Sequence, residues 1–376
     1  MSQRVISGLG SISKLKNILE DEDSKNILFV TGKKSFFTSG AAEATKAIFN
    51  NFNVIRFNDF EINPKLEDAI KGTEIARKNN IDTIVSIGGG SVIDIAKLIL
   101  AFLDIDQDVE KIIDGSLQAK ISNVKHISVP TTAGTGSEST HFAVVYSNKK
   151  KYSVAADFLI PKIVVLDGML FLSNSSNQKA FNGLDALAQA IESHWACGST
   201  NESKSFSRKA IPTLFRELPK IVSGQAKKEK FQDFIEAANL AGKAINISKT
   251  TSPHAFSYSF TSEYSIPHGQ AVWLTLPEIF EVHTNALDCD TQNILNYGEF
   301  KISIEEIINL LGINHTDISN RLKKFVMDLG LECNMEKLGL NTISSREEIA
   351  KKVNLERLKN NPVVLTKENI AQIFNI

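Results

Sequence analysis

The stretch DTIVSIGGGSVIDIAKLILAFL, residues 82–103, holds a short apolar run of β type, three glycines in succession and an apolar run of helical length. A strand that passes through a glycine turn into a helix is half of a βαβ unit, and such units build parallel sheets covered on both faces. The flanking sequence repeats the alternation. Upstream, NILFV (26–30) and NVIRF (53–57) read as strands and residues 41–50 as a helix. PKLEDAIKGTEIARKNN (64–80) reads as an amphipathic helix with Leu66, Ile70 and Ile75 on roughly one face. Downstream, HISVP (126–130) runs into TTAGTGSE, and KIVVLD (162–167) is the last strand signal.

Beyond Gly168 the strand signals fade and helical segments follow one another, at 177–196, 202–218, 228–246, 252–262, 271–285, 303–311, 317–329, 345–352 and 366–374. The expected fold class is therefore α/β followed by all-α. Residues 1–167 are read as an α/β domain with a parallel sheet, and 168–376 as an all-helical domain. A chain of 376 residues is long enough for two cores.

Composition excludes several classes. With 42% hydrophobic and 23% charged residues the chain is globular, and a formal net charge of -1 gives no electrostatic reason to expect nucleic acid or an anionic membrane as partner. Cys197, Cys289 and Cys333 stand far apart, without a CxxC pair, so neither a zinc knuckle nor a disulfide framework is indicated. No stretch approaches the roughly 18 apolar residues of a membrane span. A cytoplasmic protein with reduced thiols is expected.

The glycine turn carries the first functional reading. Gly88, Gly89 and Gly90, with Ser91 and Asp94, would let backbone N–H groups approach a diphosphate at a helix N-terminus. The second turn supplies Thr131, Thr132 and Thr135, and two such turns at one sheet edge would cradle an extended dinucleotide. After the first strand, VTGKKS (30–35) offers Gly32, Lys33 and Lys34 where a carboxylate would hold the ribose of NADH, which leans toward NADPH. Read alone, the two lysines are as readily a solvated surface pair.

A second reading comes from the helical half. In NGLDALAQAIESHW (182–195), Asp185 and Gln189 are one turn apart on one face. An isolated aspartate there would more simply be a cap. His254, after the helix start TSP, and His268, between Pro267 and Gly269, add two imidazoles. One carboxylate and two imidazoles make a divalent-metal site with open positions for substrate. Lys249, Thr250, Thr251 and Ser252, just before His254, would gather an ammonium, hydroxyls and backbone donors into an anion site, or serve as a helix cap.

GGGSVIDIAK (88–97), PTTAGTGSE (130–138), GLDALAQAIE (183–192), PHAFSYSFTSEYSIPHG (253–269) and NNPVVLT (360–366), in this order, resemble the iron-dependent (group III) alcohol dehydrogenases over nearly the whole chain. The resemblance implies a dehydroquinate synthase-like fold, with 1–167 a Rossmann-like dinucleotide-binding domain, 168–376 an all-helical metal-binding and substrate domain, a metal in the cleft between the two, and NADPH or NADH as hydride carrier. It implies Fe2+, and an Asp/His/His set suits Zn2+ equally. Gln189 departs from the histidine that members with four protein ligands carry there, whereas the family's glycerol dehydrogenases also use one aspartate and two histidines. Gln189 is either a weak fourth ligand or a neighbour. Tyr258 stands where many members place a second histidine, so it either relays a proton or shapes the pocket.

Within the family, DALAQAIESHW and ISKTTSPHAFSYSFTSEYSIPHG resemble the hydroxyethylphosphonate dehydrogenases, or phosphonoacetaldehyde reductases. That implies a place in phosphonate biosynthesis and an anionic aldehyde, reduced by NAD(P)H with Asp185, His254, His268 and Tyr258 as catalytic residues. A homo-oligomer, most simply a dimer, is expected. The alternatives are a reductase of another small aldehyde, a sugar-phosphate cyclase-like lyase, and a non-catalytic nucleotide-binding homologue.

Overall fold

A computed structural model describes residues 3–105, 108–148, 150–353 and 358–376. The chain divides into two compact units, one of Met1–Asn174 with Lys227–Asn239 and one of Ser175–Ala226 with Leu240–Ile376.

The first unit is built on a six-stranded sheet of β1 (Arg4–Ser7), β2 (Asn26–Thr31), β3 (Asn53–Phe57), β4 (Thr83–Gly88), β5 (Lys125–Pro130) and β8 (Ile163–Leu166). Their order is β1-β8-β5-β4-β2-β3, and every pairing is parallel. The stretch 82–103 lies at the centre. All six residues of β4 are buried, as a strand covered on both faces requires, and Gly90–Phe102 forms the helix that follows. Alternate residues of β2 feed two separate cores: Leu28 and Val30 pack with Ile84, Ile95 and Ile99, while Ile27 and Phe29 pack with Val85, Ile87 and Ile127.

Three features of this unit escape the sequence pattern. β1 forms a sheet edge. An antiparallel hairpin of β6 (Phe142–Ser147) and β7 (Lys150–Ala155) follows the second glycine turn, and the helix expected over 41–50 is confined to Ala41–Thr45. The hairpin is tied to the central helix by Lys97, a buried ammonium that donates to Thr140 O (2.6 Å), Thr140 Oγ1 (3.2 Å) and Phe142 O (3.0 Å). Burial pulls its pKa down to about 8, against the pull of Asp94 and Glu138.

Residues Lys227–Asn239 join the sheet unit through long-range contacts. Gln232 Oε1 accepts from Gly168 N (2.8 Å), its Nε2 donates to Ser7 Oγ (2.7 Å), and Asn239 Nδ2 donates to Glu138 Oε1 (3.1 Å). The Phe171 and Phe234 rings stack at 5.9 Å. A Cβ on Gly168 would lie 2.6 Å from Gln232 N, so only glycine allows this approach.

The second unit is helical. Its leading helix, Ser176–Trp195, starts at a reciprocal cap between Ser175 and Gln178 and packs against Asn201–Val222 and His268–Trp273. The helix expected over 202–218 runs on to Val222, with Pro219 inside it. The helix expected over 271–285 is two, His268–Trp273 and Leu276–Asn285, divided where Pro277 enters the first turn of the second. Tyr297–Leu311 begins six residues before the expected 303, because the Asn296 side chain caps it. Among the described residues no helix is long and apolar enough to cross a membrane.

Candidate metal centre and nucleotide turn

Asp185, Gln189 and Glu192 occupy one face of the Ser176–Trp195 helix, at successive turns, and all three are buried. The helix His268–Trp273 lies against that face at glycine distance. A Cβ on Gly269 would stand 1.9 Å from Phe181 O and 3.0 Å from Asp185 N, so Gly269 admits the approach that brings His268 to Asp185. His254, in the first turn of Ser252–Tyr264, completes the group: one ligand atom from each of Asp185, His254 and His268 lies within 4.8 Å of the others. His254 Nε2 is 3.2 Å from Asp185 Oδ1, and the two imidazole rings are 5.4 Å apart, crossed at 70°.

Glu192, which the sequence reading passed over, faces the other side of His254. Its Oε1 accepts from His254 Nδ1, and its Oε2 accepts from Thr251 N (2.7 Å) and Thr251 Oγ1 (2.9 Å). Its seven-residue spacing from Asp185 was the available signal. Burial opposes charge on His254, yet the carboxylates of Glu192 and Asp185 raise its pKa to about 9. Burial likewise opposes charge on Asp185, and the hydrogen bond from His254 with the nearby His268 holds its carboxyl below the usual range. Two buried carboxylates around two imidazoles thus demand positive charge.

A divalent cation meets that demand. Ligands about 2.1 Å from one centre lie roughly 3–4 Å apart, which the 3.2 Å edge matches, and the two carboxylates balance a double charge. His268 has its Nδ1 toward Ser257 Oγ (3.4 Å), whose proton goes to His254 O (2.7 Å), an arrangement that favours the hydrogen on Nδ1 and would turn Nε2 to a cation. The donor set therefore fits a metal. Gln189 Nε2 donates to Asp185 Oδ1 (3.0 Å) and so braces the carboxylate. Tyr258 is half-buried, its ring parallel to that of His268 at 6.3 Å.

The stretch 249–252 differs from its expected role as an anion site. Thr251 spends its N–H and hydroxyl on Glu192, and Ser252 Oγ donates to Asn361 Oδ1 (2.7 Å). Thr250 O accepts from Asn360 Nδ2 (2.9 Å), while Lys249, exposed and left-handed at φ 61°, ends the preceding helix. A buried carboxylate already caps this helix N-terminus, so an incoming anion finds Thr251 and Ser252 committed. Asn360 and Asn361 had carried no role in the sequence reading.

In the sheet unit, the two glycine turns are neighbours because β4 and β5 pair, with Gly88 opposite Pro130 and Thr131 N donating to Gly88 O (2.9 Å). A Cβ on Gly89 would meet Thr132 at 3.2 Å and one on Gly90 would meet Thr135 Oγ1 at 2.7 Å. The glycines therefore seat the threonines of the next turn over the start of the Gly90–Phe102 helix. That helix N-terminus, with Ser91, Thr132 and Thr135 about it, fits a diphosphate.

Asp94 departs from its expected cofactor role. Its carboxylate turns inward, accepting from Ser137 Oγ and from Val144 N (3.3 Å), and so braces the hairpin. Thr131 is buried, its carbonyl taken by Asn174 Nδ2 (3.0 Å). At the end of β2, Gly32 makes room for Ser35, and exposed Lys33 pairs with Asp59 at 3.6 Å. Arg56, missed in the sequence, donates there to Thr31 Oγ1 (2.8 Å) and Gly32 O (3.4 Å).

Comparison with known proteins matches the chain in two consecutive parts. Residues 2–168 match the profile of the iron-containing alcohol dehydrogenases, and residues 179–376 match the C-terminal profile of the Fe-containing alcohol dehydrogenase family. Long-chain-alcohol dehydrogenase 1 of Geobacillus thermodenitrificans is 25% identical, covering 98% of this chain and 93% of its own. The NADPH-dependent butanol dehydrogenase of Clostridium saccharobutylicum is 26% identical over 98% of this chain and 94% of its own. The crystal structure of sulfoacetaldehyde reductase from Bifidobacterium kashiwanohense, in complex with NAD+, superposes with a TM-score of 0.88 at 27% identity, over 99% of this chain and 96% of that one.

Proposed function

Because this chain belongs to the iron-containing alcohol dehydrogenase family and is an NAD(P)-linked oxidoreductase, we propose that it reduces a small anionic aldehyde, phosphonoacetaldehyde, to its alcohol, 2-hydroxyethylphosphonate. The observation that carries the chemistry is the convergence of Asp185, His254 and His268 within 4.8 Å. A divalent ion held there, Fe2+ or Zn2+, supplies Lewis acidity at the substrate carbonyl, and NAD(P)H supplies the hydride. Asp185 contributes the charged ligand, and the buried surroundings exclude competing water from it. The start of the Gly90–Phe102 helix holds the diphosphate through backbone N–H groups, with Ser91, Thr132 and Thr135 beside it. Tyr258 Oη, on a ring aligned with His268, is the chain's own source of the proton that the alkoxide takes up.

Support for an anionic two-carbon substrate comes from the sequence likeness to the phosphonate enzymes and from the fold likeness to a sulfoacetaldehyde reductase. Support for NADPH comes from the end of β2, where Arg56 and Lys33 bring positive charge beside Gly32, Lys33 being shared with Asp59. The test is cofactor consumption, after reconstitution with Fe2+ or Zn2+, on phosphonoacetaldehyde, sulfoacetaldehyde and propanal with each nucleotide. An enzyme whose substrate is the acid-bearing aldehyde should favour phosphonoacetaldehyde in kcat/KM by orders of magnitude over propanal. Equal values for propanal would overturn the anionic reading, and a preference for NADH would overturn the reading of β2.

A further inference from the structure

We propose that Glu192 is the positioning residue that makes His254 a metal ligand, by holding a proton on Nδ1 of that imidazole so that Nε2, the nitrogen directed at Asp185, is the one that turns its lone pair to a cation placed between them. The inference rests on the proposed metal site and adds a residue to it. Glu192 is fully buried and receives three donors, one from His254 Nδ1 and two from Thr251. The direction of each is settled by its neighbours. Trp195 Nε1 donates to Thr251 Oγ1 (3.0 Å), so that hydroxyl has its own proton left for Glu192. Thr251 N is a backbone donor and has no other role. A carboxylate, which only accepts, is the side chain that satisfies all three.

An amide does not. In Glu192→Gln one of the two acceptor oxygens becomes an NH2 group. If the NH2 faces Thr251 it meets two donors, one of which is fixed in the backbone. Turned the other way, it meets His254 Nδ1, and the imidazole must then accept there and carry its proton on Nε2. That nitrogen would no longer bind a cation. The change is nearly isosteric, so its effect falls on the tautomer of His254.

The experiment uses the full chain, stripped of metal and titrated with Zn2+ against a chromophoric chelator. Wild type should bind one equivalent, and Glu192→Gln should bind about 10–100-fold more weakly, with NADPH affinity unchanged as a check that the nucleotide unit is intact. A second measurement needs no variant: 15N-histidine spectra of the Zn2+-loaded wild type should show His254 bound through Nε2 with a hydrogen-bonded Nδ1–H, and this decides the matter if the variant fails to fold. Equal Zn2+ affinity in variant and wild type, or coordination through Nδ1, overturns the role of Glu192 while the metal site stands. Failure of the wild type to bind Zn2+ overturns both.

Discussion

Replacing Gly269 by alanine sets two effects of opposite sign against each other. Within a helix, glycine to alanine ordinarily stabilises by about 1 kcal/mol, and Gly269 is inside His268–Trp273 with no positive φ to protect. Against this, the new Cβ would sit 1.9 Å from Phe181 O and 2.9 Å from Phe181 C, both backbone atoms in the middle of the Ser176–Trp195 helix. Neither can turn aside. A carbon needs about 3.3 Å from a carbonyl oxygen, so the two helices must part by more than an ångström. Overpacking of this kind costs about 1–3 kcal/mol or more, and the clash outweighs the propensity gain. The net loss should appear as a fall of about 2–8 °C in the melting temperature of the metal-free protein. It should be accompanied by weaker Zn2+ binding, since His268 adjoins the displaced residue and moves away from Asp185. Thermal denaturation followed by circular dichroism, with chelator competition on the same preparations, measures both. An alanine variant as stable as wild type, with unchanged Zn2+ affinity, would refute the close approach on which the metal site is built.

Tyr258→Phe should lower kcat by about 10²–10⁴ with KM nearly kept if the phenol delivers the proton, and steady-state kinetics showing an unchanged kcat would leave the ring only a shaping role. Gly90→Ala should raise the KM for nucleotide with little change in stability, because its Cβ meets the Thr135 side chain at 2.7 Å and not the backbone; fluorescence titration with NADPH checks this, and an added Thr135→Ala should restore much of the affinity. Acid stability should depend on His126, which donates to or accepts from Ser86 Oγ (2.8 Å) in the sheet core and is pushed down to about 3 by burial, with Lys97 adding. The unfolded chain takes up this proton below about pH 6.5 and the folded chain not until about 3, so stability is lost as pH falls through that window. His126→Gln should flatten the dependence of the urea midpoint on pH between 6.5 and 3, and an unchanged slope would show that other groups govern it.

Much of the architecture was legible because it follows from short-range patterning. β4 and its helix read correctly as a buried strand, a turn and a helix, since an uninterrupted apolar run followed by glycines leaves few other foldings. The hairpin of β6 and β7 was missed although its first strand alternates in burial, because it lies between the glycine turn and β8 and carries polar residues on its outer strand. The division of 271–285 into two helices was missed because Pro277 is compatible with a helix start as well as with a break. Among site residues, Asp185, His254 and His268 stand out by type and spacing, and the structure brings the three together. Asp94, Thr251 and Ser252 were read as facing a ligand, and each has its donors or acceptors taken inside the protein. Hydrogen-bonding capacity is visible in a sequence, but the partner that uses it is not.

By itself the sequence determined the alternation of strands and helices, the change to helices after Gly168, and the kinds of ligand available for a metal. Those properties are carried by the side chains of each segment and its immediate neighbours. Tertiary structure alone decided that Lys227–Asn239 belongs with the sheet, that Gly269 sets the distance between two helices, and that Glu192 stands behind His254. Each of these depends on atoms many residues apart reaching contact distance, where a single Cβ or one buried carboxylate changes the energy by more than any local preference.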